Sequence, residues 1–397
     1  MQLAGTRVSE QEGTSERGKA SLFPRVSGDA LANRQNVDLA ALGISFPHIP
    51  AVVGPFAHYD FRVSATQSVI DRRAYHNWKA AENLLDQAKL SYQDTRDLVI
   101  RETAGLYLDG QAAAAEVQAA ESRVRTSEAL EKLARDQRAQ GLATAVDVVR
   151  AQVQLERDHQ SVLVDRDNYE TSLLSLAHFL GLTSGTPLEL ADELKLRHTP
   201  TIDLATTLPQ SLQARPDYRA LLAQRESLIE QRKAWHARYL PSLAVNADYG
   251  AIGPNFGAMA ATGQVQGTVT FTFFDRDRSG EQKEIESRLK QLDEQLDDLG
   301  RQIEQDLRKA LLDLESTENQ VTVTENALRL AERELALAQD RFRNGVTDNI
   351  EVIQAQQTLA SAQDDRIVAL ARHADAAMAL ARALGGTEKN YTVYLSE

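Results

Sequence analysis

Histidine is the side chain best suited to acid–base or metal chemistry near neutral pH. This chain has eight, at positions 48, 58, 76, 159, 178, 198, 236 and 373. No two stand at metal-ligand spacing, and no His-Glu-x-x-His occurs. Cysteine is absent, which removes disulfides, thiolate metal sites and thiol nucleophiles. The 21 glycines make neither a phosphate loop nor a dinucleotide fingerprint. With no Ser-His-Asp pattern and no carboxylate pair outside charge-studded helical stretches, the reading is of a non-enzyme without cofactor or metal. Asp and Glu total 57 against 44 Lys and Arg, a net charge of −13. An acidic chain with no basic block is a poor nucleic-acid binder. Most of these charges read as solvated helix faces and i,i+4 pairs. Were one face to line a tube, the acidic excess would disfavour anions inside it.

The elements that carry these charges are long. Of 397 residues, 42% are hydrophobic but only 6% aromatic, and Ala and Leu dominate. The ten prolines fall at 24, 47, 50, 55, 187, 200, 209, 216, 241 and 254, so 56–186 and 255–397 contain none. Proline inside a helix costs about 3 kcal/mol, and its exclusion predicts very long helices. One helix over about 70–140 would extend roughly 100 Å. Such a rod needs partner helices to cover it. No run of 18 apolar residues predicts a transmembrane helix.

The chain also repeats itself at an offset of 204 residues. Glu121, Arg125, Leu133, Ala134, Asp136 and Gly141 fall on Glu325, Arg329, Leu337, Ala338, Asp340 and Gly345. Val148, Ala151, Gln152, Leu180 and Gly181 fall on Val352, Ala355, Gln356, Leu384 and Gly385. In each copy a long helix stops at a glycine and a shorter one returns, an αα-hairpin made twice. The first repeat is expected over 1–190, with a β-hairpin at about 22–67, a long helix at 70–140 and a return helix at 144–181. An irregular segment, 182–215, separates it from the second repeat at 216–386. That repeat holds a helix at 216–238, a β-hairpin at 241–274, a long helix at 280–343 and a return helix at 347–385. A tail, 387–397, follows. Residues Met1 to Ala20 read as too short and too polar for a secretory signal or a helix ahead of the first strand.

Period-two alternation marks the strands. In one, Val265, Gly267, Val269, Phe271 and Phe273 alternate with Gln and Thr; in its partner Leu243, Val245, Ala247 and Tyr249 alternate with Ala244, Asn246 and Asp248. In the first repeat Tyr59, Phe61, Val63 and Ala65 alternate with polar residues, and a weaker partner lies at about 23–33. Strands of nine to eleven residues suit a tilted membrane crossing, with Val245, Ala247, Tyr249, Val265, Val269, Phe271 and Phe273 toward lipid. Loops at about 36–58 and 253–263 would then face outside the cell. A soluble sheet with one buried face gives the same alternation. Four strands cannot close a barrel alone, since membrane barrels start at about eight, so the membrane reading demands an oligomer.

The chain resembles the TolC-type outer-membrane efflux channels over about 19–386. The marks are the Phe23-Pro24 and Leu240-Pro241 strand entries and the strand exits Val69-Ile70-Asp71 and Phe273-Phe274-Asp275. Arg215-Pro216-Asp217 and the glycine-bearing tips complete the set. The resemblance implies a mostly α fold of long antiparallel coiled-coil hairpins plus four membrane strands per chain. In a homotrimer these would complete a 12-stranded barrel and an α-helical tunnel. It implies a passive exit duct in the bacterial outer membrane, reaching into the periplasm and set in outer-membrane lipid. A periplasmic adaptor (membrane fusion) protein would dock it and link it indirectly to an inner-membrane pump. The adaptor is expected at the tips Gly141, Leu142, Ala143, Thr144 and Gly345, Val346, Thr347, Asp348. Glu351, with Asp147 and Asp348, is expected at the periplasmic constriction. The family's second acid there is replaced by Gln354, and its aromatic hydroxyl by Phe342. The competing reading is a soluble coiled-coil scaffold, which leaves the alternating hairpins without a role.

Overall fold

The computed structural model describes residues 1–183, 185–197, 202–389 and 391. His198, Pro200 and nearly all of the 390–397 end of the tail lie outside the described residues. The chain runs α1 (Gln2–Ala20), β1 (Arg25–Asp38), β2 (Val52–Ile70), α2 (Arg72–Ala139), α3 (Ala145–Phe179), α4 (Leu204–Ala214) and α5 (Pro216–Ala237). It continues with β3 (Ser242–Gly253), β4 (Ala260–Thr270), α6 (Arg278–Arg343) and α7 (Asn349–Ala383). It is mostly helical, with one four-stranded antiparallel sheet. Two compact units cut across the two repeats. One takes Tyr92–Arg219 and Asp298–Glu397, the other Gln2–Ser91 and Ala220–Asp297.

The second of these units holds the sheet, in the order β1-β2-β3-β4. Its register puts Ala30 opposite Phe61, Val63 opposite Tyr249, and Ala247 between Ala65 and Val265. Opposed residues share a face, so most apolar positions of the four strands form one face, with Leu31 and Ile252 on the other, opposite Asp60. Ser27, Asp29, Arg62, Ser64, Asn246, Asp248 and Gln266 share that other face. Beneath the sheet, Leu228 and Trp235 of α5 pack on Ile285, Leu289 and Leu292 of α6. The Trp235 indole donates to the Arg278 carbonyl at 3.2 Å.

The other unit is built from α2, α3, α4, α6 and α7. Along α6 the buried positions Ile303, Leu307, Ala310, Leu314, Thr317 and Val321 recur at alternating steps of four and three, the seam spacing of a coiled coil. Leu307, Ala310 and Leu314 join Ala104 and Leu108 of α2 and Met378, Leu380 and Ala381 of α7 in one core.

Four sequence expectations are corrected. Met1 to Ala20 contains a 19-residue helix, α1. Its inward stripe is Ala4, Val8, Gln11, Ser15 and Gly18, at helical spacing but of small or polar residues. A Cβ on Gly18 would sit 3.4 Å from the Trp78 backbone, so close packing rather than an apolar face holds it. Residues 204–214, expected irregular, form α4 despite Pro209. Asp203 caps it, accepting from the Ala205 and Thr206 amides, and Leu204 and Leu208 pack on the core. The weak first strand extends to Asp38 and β2 starts at Val52, so the first inter-strand loop is shorter than 36–58. Finally, Phe271 and Phe273 lie beyond β4. Thr270 pairs with Ser242, the first residue of β3, and Pro241 before it has no N–H to continue the ladder.

Candidate functional site

The hairpin tips repeat one backbone design. Gly141 and Gly345 adopt φ of 77° and 69°, the left-handed geometry that lets a helix stop. The Leu142 amide donates to the Gln137 carbonyl at 2.9 Å and the Gly141 amide to Arg138 at 3.0 Å. Val346 and Gly345 do the same to Arg341 and Phe342, both at 3.0 Å. Each pair is a Schellman stop. Leu142 and Val346, equivalent in the repeat, project 62% and 67% exposed.

The return helices start differently. Thr144 caps α3 and shares a capping box with Asp147. The Asp147 carboxylate accepts from the Thr144 amide at 2.9 Å and hydroxyl at 2.6 Å, and is nearly buried. One oxygen, Oδ2, is engaged within the cap, and the other, Oδ1, lies 3.7 Å from the Arg150 guanidinium. In α7 the capping position belongs to Asp348, which accepts from the Ile350 amide at 3.2 Å. Glu351, the equivalent of Asp147, instead turns to Arg341 of α6 at 3.1 Å and stays 38% exposed. The three acids thus have separate local tasks.

Two side chains absent from the sequence expectation tie the tips together. Gln137 donates to the Phe342 carbonyl at 2.8 Å, and the buried Asn349 donates to the Asp147 carbonyl at 2.6 Å. Behind them Ala134, Val148 and Ala151 pack with their repeat equivalents Ala338, Val352 and Ala355, and with Phe342 at 2% exposure. Phe342 is thus a core residue of the tip. Outside, Val146, Val149 and Val153 of α3 face Ile350 and Ile353 of α7 across a groove of about 580 Å³, bordered by Arg150 and Arg157. The 146/149/153 spacing was the available signal for this groove, hidden because the same helix buries Val148 and Ala151 on another face.

The Arg215-Pro216-Asp217 motif sits in a charge network. Arg215, 6% exposed, bonds Asp217 at 2.5 Å and reaches Asp306 at 3.4 Å. Arg382 pairs with Asp94 and lies 3.6 Å from Asp217. Burial alone would raise the Asp217 pKa, but the hydrogen bond and charge of Arg215, with Arg382, hold it below the ordinary carboxylate value. Gly385, at φ 81°, lets the end of α7 approach, since a Cβ there would meet the Arg215 amide at 2.7 Å.

Of the residues expected to face lipid, Val265, Tyr249 and Val269 are 78%, 69% and 54% exposed, while Val245 and Ala247 are half-buried. All five share the sheet's apolar face. The opposite face carries the ion pair of Arg62 with Asp60 at 2.9 Å, extended to Asp248. Among the described residues no helix is long and apolar enough to cross a membrane.

A four-stranded antiparallel sheet with duplicated long helical hairpins is the fold of the solved outer-membrane channels OprN and CmeC. The outer membrane efflux protein family model matches residues 2–182 and 207–386, and the chain belongs to that family. Among curated relatives, the toluene efflux pump outer membrane protein TtgC of Pseudomonas putida is 27% identical over 255 residues, 62% of this chain and 50% of that protein. The antibiotic efflux pump outer membrane protein ArpC of Pseudomonas putida is 26% identical over the same length and shares. The chain spans about half the length of the curated relatives it matches. The fold is that of VceC from Vibrio cholerae, with a TM-score of 0.81, 17% identity and coverage of 96% of this chain and 92% of that one. It is equally that of the open state of MtrE from Neisseria gonorrhoeae, with a TM-score of 0.80, 17% identity and coverage of 97% and 86%.

Proposed function

We propose that the protein is the passive outer-membrane exit duct of a tripartite efflux or type I secretion system, working as a homotrimer. The observation that carries this reading is the two-faced, four-stranded sheet with two unpaired edges. Three copies joined edge to edge would enclose a polar bore and present the apolar face to lipid. The paired hairpins would continue the duct into the periplasm. Their tips, each with an exposed apolar residue held on a Schellman stop, would dock a periplasmic adaptor. The pump would be reached only through that adaptor.

Protein extracted in detergent should have the mass of three chains and open ohmic channels in planar bilayers. In cells, cysteines placed at Leu142 or Val346 should crosslink to the adaptor, and bulky residues there should uncouple efflux while leaving the trimer intact. A monodisperse, detergent-free monomer would refute the duct and leave a soluble coiled-coil scaffold.

A further inference from the structure

Between the apolar cluster of the tips and the core around Leu108 and Leu380, helices α2, α3, α6 and α7 line a cavity of about 60 Å³, closed by Leu335, Leu359 and Ala360 on one part of its wall and by polar side chains on the rest. Asp158 lies on its wall, 8% exposed. One carboxylate oxygen accepts a hydrogen bond from the Ser127 hydroxyl, and the other accepts from Gln154 Nε2 at 3.0 Å. Both donors are neutral, and among the described residues no cationic nitrogen pairs with Asp158. Arg123 borders the same cavity, but its guanidinium reaches Asp364 at 3.1 Å and Asp165 at 3.6 Å. A buried carboxylate with only neutral donors is costly unless its charge is balanced.

A second observation concerns the amides around it. Gln154 Oε1, Gln356 Oε1 and Gln363 Oε1 are all buried with no hydrogen-bond partner among the described residues, as is Gln356 Nε2. Gln154 and Gln356 are each 8% exposed. Because Gln154 gives its NH₂ to Asp158, its oxygen is left for something else. Three orphaned amide oxygens and one uncompensated carboxylate bordering one cavity are a hard-cation ligand set. At about 10–15 Å³ for each water-sized occupant, the space holds an ion and a few waters.

We propose that this cavity binds a monovalent cation of sodium size. Asp158 supplies the one charge, and Gln154, Gln356 and Gln363 supply neutral oxygens. Among the described residues Asp158 is the one carboxylate on the cavity wall, which a single positive charge matches. The bound ion bridges α3 to α7, with Ser127 of α2 steadying the carboxylate, so it fastens one hairpin to the other above the tips. The proposal does not depend on the duct reading.

The test is thermal unfolding of the full chain in detergent, in sodium chloride or choline chloride at equal ionic strength, with ²³Na relaxation as a direct probe. Sodium should raise the melting temperature by several degrees over choline, and Asp158→Asn should abolish that difference. Gln356→Leu, which keeps the carboxylate, should raise the sodium midpoint by about tenfold, equivalent to about 1.4 kcal/mol. Equal melting of the wild type in the two salts, with no excess ²³Na relaxation, overturns the proposal and assigns the cavity to water. A larger rise with calcium than with sodium overturns the monovalent assignment. If Asp158→Asn does not fold, Gln363→Leu and the wild-type ²³Na signal decide it.

Discussion

Arg341 lies 3.1 Å from Glu351, and that contact sets what the carboxylate could do if it lined a narrow mouth. Exposed pairs contribute only about 0–1 kcal/mol, so Arg341 partly screens Glu351 without removing it from solvent. Three such carboxylates around a pore axis would attract cations. Glu351→Gln should therefore lower the cation-to-anion permeability ratio in planar bilayers, and Arg341→Gln should raise it. Ratios unchanged in both would exclude Glu351 from the pore lining. Asp217 makes a different kind of prediction. Its pKa is held below 3.8 against the effect of burial by Arg215 and Arg382, so its contribution to stability is complete above about pH 4. It is lost as the pH falls through the lowered value. Asp217→Asn should cost about 2 kcal/mol at neutral pH, less than a fully broken buried pair because Arg215 keeps Asp306. The cost should vanish in strong acid, as denaturant titrations at the two pH values would show. The motif itself was visible in the sequence. Its partners Asp306 and Arg382 were not, because nothing local reports which of many helix charges meet across a bundle.

At the scale of elements, legibility followed periodicity. The strands announced themselves because Val63, Ala65, Val245, Ala247 and Val265 alternate with polar residues and share one face. Proline-free stretches marked the helices just as clearly. Helix α1 was missed because its inward stripe is Ala, Ser, Gln and Gly with only Val8 as a larger apolar group. Small residues that allow close approach leave no apolar signature. Helix α4 was missed because Pro209 outweighed Leu204 and Leu208 in a local reading, whereas burial of those leucines decides in the fold. The tip groove was missed for the opposite reason: α3 is apolar on two faces. Alternation also yields a face-specific prediction. Arginine at the bilayer midplane of a barrel's lipid face costs roughly 2–4 kcal/mol, while the lumen side tolerates it. Val265→Arg should sharply reduce the yield of folded, heat-modifiable protein in lipid vesicles. Its neighbour Gln266→Arg, on the polar face, should fold like the wild type. Equal yields from both would refute the assignment of the faces.

For the whole molecule the decisive feature is the pair of free sheet edges. Strand β4 runs eleven residues with no charge and no proline, lacking the devices that ordinarily protect an edge from pairing. Strand β1, at fourteen residues, offers the complementary edge. Within one chain the two edges are separated by β2 and β3. At about 4.8 Å per strand spacing they lie roughly 14 Å apart, well beyond the roughly 4.4–6.8 Å between Cα atoms that a disulfide requires. Any disulfide between them must therefore join two chains, and the absence of native cysteine removes background. Ser27 on β1 and Gln264, Gln266 and Thr268 on β4 share the polar face, so double variants Ser27→Cys with a cysteine at each of these in turn scan the unknown register. In one register, oxidation in the membrane should give a ladder of one, two and three chains on denaturing gels. No band should lie above three, because a ring of three has no edge left to extend. A ladder ending at two would mean an eight-stranded barrel from a dimer, and an endless ladder would mean open edge pairing. No crosslink in any register would show that β1 and β4 do not meet and would remove the barrel from the proposed duct.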